Sequence, residues 1–317
     1  MKIFAPIKKS SDVELLVVAG ADEFYCGYID SSWKEFFGNS IEMNRRSACG
    51  ADANFTDIND LQKAINIAHY YGKKVMLALN HHQFTNLELP YVYKIIDLFN
   101  SISGDGLILA DLTAISYAIR KNIYVAVSTD MHVYNVEAVR FFVEMGVKRI
   151  ILSRDIPIDS IALMKQTAGD VEIESFMING PCKFSDSLCL GLHSTKYGAF
   201  CRFLNECSKK IISPYDNAMI NKAYSHFFND YMNHSCGICA IWKLINIGID
   251  ACKVVGRVLP VERIENEIKL IKKNIDIAQK CVSEDEYLSK VVRPQYVDCQ
   301  SSDNCFYVNS KYLLKTN

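Results

Sequence analysis

No stretch of this chain reaches the roughly 18 uninterrupted apolar residues that a membrane-spanning helix needs, so no span is expected. The opening Met1-Lys2-Ile3-Phe4-Ala5-Pro6 has neither a long apolar core nor a small-residue cleavage site, and reads as a strand rather than a signal peptide. Charge of one sign is lacking too. The 35 basic and 36 acidic residues leave a formal net charge of −1, which gives no global footprint for a polyanion, although a local basic patch fits inside a neutral total. No Gly-x-Gly-x-x-Gly follows a strand, no His-Glu-x-x-His lies on a helix and no Gly-x-Ser-x-Gly is present. Those absences remove the signals of a dinucleotide crevice, a zinc protease and a serine hydrolase. Nor is there an internal repeat or a low-complexity segment.

Cysteine, by contrast, is abundant, with 12 in 317 residues. Without an export signal, this number points to a reducing, cytoplasmic setting and to metal ligation rather than disulfides. Cys26, inside Glu23-Phe-Tyr-Cys26-Gly27, and Cys252, inside Ala251-Cys-Lys-Val-Val255, read as buried structural thiols. Six others crowd into one irregular stretch: Cys182, Cys189, Cys201, Cys207, Cys236 and Cys239. Zinc sites commonly show two Cys-x2-Cys pairs, and this stretch has one, Cys236-Gly-Ile-Cys239. Four thiolates drawn from separated positions suit a cubane iron–sulfur cluster. On spacing alone, zinc and unligated thiols stay open. His193 and His234 read as ordinary loop or outer groups.

The rest of the chain alternates short apolar runs with helical periods. Strands are expected at 2–6, 23–26, 74–80, 106–111, 124–128, 149–153, 171–178 and 251–255, separated by amphipathic segments. Eight buried strands with intervening helices predict an α/β fold, a (β/α)8 TIM-like barrel, with the cysteine-rich insertion after strand 7. The domain reading is a barrel over 1–260 with the insertion at about 180–239, then a C-terminal helix and tail over 261–317 packed on it. The connection 27–54 is too long for a mere turn and reads as functional or as a lid. A barrel gathers its chemistry at the C-terminal ends of the strands. There the sequence places Asp111, Asp130, Arg154 and Arg257 as candidate catalytic residues, with Asn80, Ser128 and Asn179 also at strand ends. Glu174, earlier on strand 7, would be an inward carboxylate, and burial would require an arginine or lysine partner.

Several dispersed segments carry a family resemblance in the right order. They are Gly20-Ala-Asp-Glu-Phe-Tyr-Cys-Gly27, Ala53-Asn-Phe-Thr56, Leu79-Asn80, Ser128-Thr-Asp130 with Asn135, and Ser153-Arg-Asp155. Glu174-x-Phe176-x3-Gly180-x-Cys182 with Cys189, then Gly248-Ile-Asp250 and Lys253-Val-Val-Gly-Arg257, complete the set. Over about residues 1–260 the chain resembles the U32 family of collagenase-like peptidases. That family includes oxygen-independent iron–sulfur hydroxylases of RNA and of a ubiquinone precursor. The resemblance implies a [4Fe-4S] cluster on Cys182, Cys189, Cys201 and Cys239, with Cys236 as the rival fourth ligand and zinc as the alternative metal. It implies a hydroxylase or related redox enzyme acting on a small-molecule or peptide-like substrate. The alternatives are a peptidase (a hydrolase), for which Cys49 in its Arg45-Arg46-Ser-Ala-Cys49 loop is an imaginable nucleophile, and a non-catalytic partner subunit of a family heterodimer. RNA remains a possible partner, disfavoured by the neutral total charge. The sequence departs from the family at Asn179-Gly180 (commonly His-Gly) and at Asp130 (commonly Gln), and the segment 209–234 reads as an insertion.

Overall fold

Eight short strands of almost wholly buried residues pair in parallel and close on themselves. Such strands, buried on both faces, need helices outside and side chains packed inside. In the computed structural model, which describes residues 1–38, 42–180, 182, 186, 235–295, 299 and 305–307, the strands are β1 (Lys2–Pro6), β2 (Glu23–Cys26), β3 (Lys74–Leu79), β4 (Gly106–Leu109), β5 (Val125–Val127), β6 (Arg149–Ile151), β7 (Glu172–Ile178) and β8 (Ala251–Val254). Their order around the barrel is their order in the chain, and β8 pairs back with β1 through Lys2–Ala251 and Phe4–Lys253. The TIM-like barrel expected from the sequence is therefore the fold.

The outer helices are α1 (Asp12–Ala19), α2 (Ser31–Phe37), α3 (Ile58–Tyr70), α4 (Leu89–Ser101), α5 (Leu112–Arg120), α6 (Val136–Met145), α7 (Ile158–Ala168), α8 (Ile241–Ile247), α9 (Val261–Ala278) and α10 (Glu284–Lys290). Short polar side chains cap many of their starts: Asp57, Asp111 and Asn135 accept backbone N–H bonds at α3, α5 and α6. α9 packs against α1, α8 and β1, and so completes the ring of helices rather than standing apart from it. The connection 27–54 is not a plain loop. It contains α2 and a 3-10 segment, Ser47–Asp52, which the sequence reading did not foresee.

The lower half of the barrel interior is ionic. Arg149, 1% exposed, donates to Glu23 at 2.6 Å and to Glu174 at 3.1 Å, and also to Glu172. Lys2 reaches Glu23 at 3.0 Å and Glu172 at 2.6 Å, while Lys253 reaches Glu174 at 2.8 Å. Three carboxylates thus meet three cations, the condition under which burying them is tolerable. Glu174 has the partners that its burial demands. Burial alone would raise the Glu172 pKa, but the Lys2 hydrogen bond and the Arg149 charge outweigh it and hold the carboxyl down at about 2.

Two outcomes follow from this layer. Replacing Arg149→Met leaves three carboxylates to two lysines, so urea unfolding should show a loss of about 3–5 kcal/mol; a change near zero would contradict the network. Glu172, depressed when folded, stabilises the protein fully above its ordinary range and progressively less as pH falls towards 2. Unfolding midpoints of Glu172→Gln should accordingly lose part of the acid dependence that the parent shows.

Candidate active site at the barrel mouth

The strands end in polar residues, and the parallel closure brings those ends together at one face. Asn80 follows β3, the turn Ser128-Thr129-Asp130 follows β5, Ser153-Arg154 follows β6 and Arg257 follows β8. Asp130 is 3% exposed. Its Oδ2 accepts from Asn80 Nδ2 at 3.2 Å and from the Ser128 hydroxyl at 3.0 Å. Its Oδ1 lies 3.0 Å from Arg45 Nη1 and 3.9 Å from His82 Nε2. Among the described residues His82 Nε2 has no hydrogen-bond partner and Asp130 Oδ1 has only the ill-aligned arginine contact, so the two stand unbonded 3.9 Å apart. Burial lowers the His82 pKa, with Asp130 offsetting part of the effect, so the imidazole tends to neutrality.

A second carboxylate enters from the chain beyond β7. Asp186, 1% exposed, is gripped by Arg45 Nη1 at 3.2 Å and by Arg154, and accepts from the Thr129 hydroxyl at 3.1 Å. Arg154 lies over the Phe176 ring with its guanidinium carbon 3.7 Å from the centroid, which fixes the fork. The two carboxyls are driven apart in acidity. Burial pushes Asp130 up by more than Arg45 offsets, whereas Arg154 and Arg45 overcome the burial of Asp186 and hold it below the carboxylate range. Two neighbouring acids with opposed shifts are the arrangement that lets one hold a proton while the other stays ionised.

The remaining sequence candidates occupy different places. Arg257, 8% exposed, donates to Asn54 Oδ1 at 3.2 Å and Asn44 Oδ1 at 3.0 Å. Gly27 makes this possible: a Cβ there would come within 2.0 Å of the Arg257 Nη1. Glu174 lies below the mouth, joined to it through Lys253. Lys253 was not singled out as a site residue, although burial pulls it down to about 8; its Nζ sits 4.0 Å from the Tyr25 ring centroid. Asp111 is occupied otherwise: Oδ1 accepts from Ala114 N at 2.8 Å and Oδ2 from Phe84 N at 3.1 Å, so it caps α5. Asn179, at φ 62°, turns away from the mouth to Val255 O at 3.2 Å and to Glu267. Arg45, Arg46, His82 and Asp186 complete the constellation. Of these the sequence drew notice only to the Arg45-Arg46 loop, and the contacts of His82 and Asp186 are long-range.

Both ends of the cysteine-rich stretch are fastened to β7. Asn179 N donates to Ser235 O at 2.8 Å and Gly237 N to Met177 O at 2.7 Å, while Cys236 bridges Ile178. Cys182 and Cys239 therefore leave and rejoin the barrel beside the same strand end; Cys189 and Cys201 lie outside the described residues. Cys236 also pairs through its backbone with Cys305, and the Ile238 N–H donates to its sulfur at 3.5 Å. Burial above all pushes the Cys236 thiol up, and Cys239, Cys299 and Cys305 add to it. Among the described residues, no three His, Cys, Asp or Glu side chains converge closely enough to hold a metal ion.

The different stations of Asp111 and Asp130 are testable. Asp111→Ala should cost about 1 kcal/mol of stability through the lost cap. Asp130→Asn should instead remove whatever proton uptake the parent shows when the mouth is titrated by NMR, with little change in fold. Equal destabilisation by both, with no change in titration, would contradict the assignment.

The chain is similar to proteins of divergent description. A Methanocaldococcus jannaschii protein named an uncharacterized protease is 26% identical over 97% of this chain and 73% of its own length. The Escherichia coli 23S rRNA 5-hydroxycytidine C2501 synthase is 23% identical over 84% of this chain. The Bacillus subtilis tRNA hydroxylation protein P1 is 25% identical over 87%. The alignments span 38% and 63% of these last two relatives. The model of peptidase family U32 matches residues 8–312, nearly the whole sequence, and the chain belongs to that family.

Proposed function

We propose that this chain is an iron–sulfur protein that carries out an oxygen-independent hydroxylation or a related redox reaction at the mouth of its barrel. The observation that carries the reading is the fastening of both ends of the cysteine-bearing stretch to β7, beside the buried Asp130–Asp186–His82–arginine constellation. Cys182 and Cys239, with Cys189 and Cys201, would hold a [4Fe-4S] cluster, the soft donor set that such a cluster takes. The cluster would supply one-electron redox chemistry; the protein's own groups bind the substrate and handle protons. Relatives named for tRNA hydroxylation and for synthesis of a hydroxylated cytidine in rRNA support hydroxylation as the reaction and RNA as one substrate class. A small-molecule or peptide-like substrate is the other, and action beside a second family member fits either. For the peptidase reading, Cys49, the imaginable nucleophile, lies beside Arg46 and Arg257, but among the described residues no histidine or carboxylate is hydrogen-bonded to its sulfur as a base.

Protein purified without oxygen should absorb broadly in the visible and contain about four irons and four sulfides per chain. Cys182→Ala and Cys239→Ala should lose both, whereas Cys26→Ala and Cys252→Ala, buried in the core, should keep them. A colourless protein with one zinc and no iron would overturn the proposal.

A further inference from the structure

Among the described residues the mouth holds four guanidinium groups, and two of them, those of Arg45 and Arg154, are paired with carboxylates. Arg45 and Arg154 together grip Asp186, with Asp130 beside Arg45. Arg46 and Arg257 are tied to the same asparagine: Asn44 Oδ1 accepts from Arg257 Nη2 at 3.0 Å and from the Arg46 backbone N–H at 2.9 Å. Arg257 is fixed by two neutral amide oxygens, those of Asn44 and Asn54, and these asparagines are themselves joined at 3.1 Å. Asn54 also donates to Arg46 O at 2.9 Å and Gly50 O at 2.8 Å, which fixes the backbone that presents Arg46. Among the described residues neither the Arg46 nor the Arg257 guanidinium is hydrogen-bonded to a carboxylate. Burial lowers both pKa values, Arg257 to about 10, and the neighbouring arginines lower them further. Glu42 is a further carboxylate near Arg46 and Arg45. It is 3% exposed with both oxygens unbonded, and burial pushes it up to about 7, so it neutralises the cluster only in part. Arg154 Nε, buried in the same mouth, has no hydrogen-bond partner among the described residues.

Clustered, partly desolvated guanidiniums repel one another, and a fold that holds them without counter-charges gains when an oxyanion enters. The grip on Asp186 shows, within this molecule, what such a pair of arginines binds. We propose that Arg46 and Arg257 form a binding site for an oxyanion of the substrate, a carboxylate or phosphate group brought into the barrel mouth. Asn44, Asn54 and Gly27 are its positioning residues: the two amides aim the Arg257 fork, and the missing side chain at Gly27 leaves it room. The site deepens the functional reading above, since it states what the mouth recognises. It is built from described residues alone and does not require the cluster.

The test is calorimetric titration of the full chain with inorganic phosphate and, separately, with malonate, alongside iron and sulfide assays of the same preparation. Saturable binding of at least one probe is expected. Arg46→Gln should weaken it by about tenfold or more, the scale of a lost charge-assisted contact. Arg46→Lys, which keeps the charge but not the fork, should recover only part, and Lys272→Gln on the outer face of α9 should leave binding unchanged. Preference for phosphate would assign the site to a phosphate-bearing substrate, and preference for malonate to a carboxylate. No saturable binding of either probe, or binding that Arg46→Gln leaves intact while circular dichroism shows the fold preserved, would overturn the proposal. Anion binding without iron would sink the cluster but not this site; iron without anion binding would do the reverse.

Discussion

The Arg149 network is the constraint on which the rest depends. One guanidinium low in the barrel engages carboxylates from β2 and from two positions of β7, and Lys2 and Lys253 complete the balance from β1 and β8. An apolar filling would close the barrel as well and at less desolvation cost. The ionic filling instead fixes β6, β7, β8, β1 and β2 in register through directional bonds. Lys253 links that layer to the mouth, so the arginines and aspartates above are held on a floor that is already charge-balanced.

At the mouth the balance changes sign. Asp130 and Asp186 answer two of the four guanidiniums, while the Arg257 fork rests on amide oxygens and, among the described residues, the Arg46 guanidinium meets no carboxylate. The net charge of −1 for the whole chain conceals this local positive excess. It was the neutral total that weighed against RNA in the sequence reading. The structure gathers cationic groups at the barrel mouth that the neutral total gave no sign of.

The barrel was legible because its strands are short, apolar on both faces and separated by helices of clear period. What escaped notice had weaker signals. Ser31–Phe37 is aromatic-dense without an amphipathic rhythm, and Glu284–Lys290 is so charged that it read as tail. Yet Ser283 caps that helix, its side chain accepting from Glu286 N while Glu286 Oε2 accepts from Val282 N, and the Ser-x-x-Glu spacing that signals such a start is present in the sequence. Asp130, Arg154 and Arg257 could be placed at the mouth because a barrel gathers its strand ends. Asp111 stood beside them on the same reasoning, although an acid just before a helix is equally an N-cap. Asp186 could not be found this way, because its partners are 32 to 141 residues distant in the chain.

The central claim is that a redox cluster and an oxyanion site share one barrel mouth. The most direct measurement is electron paramagnetic resonance of the dithionite-reduced, anaerobically purified protein, before and after saturation with whichever of phosphate or malonate binds. The account predicts a cluster signal whose g-values or line shape change on anion binding in the parent and stay fixed in Arg46→Gln. A cluster spectrum indifferent to an anion that demonstrably binds, or no cluster signal at all, would contradict it.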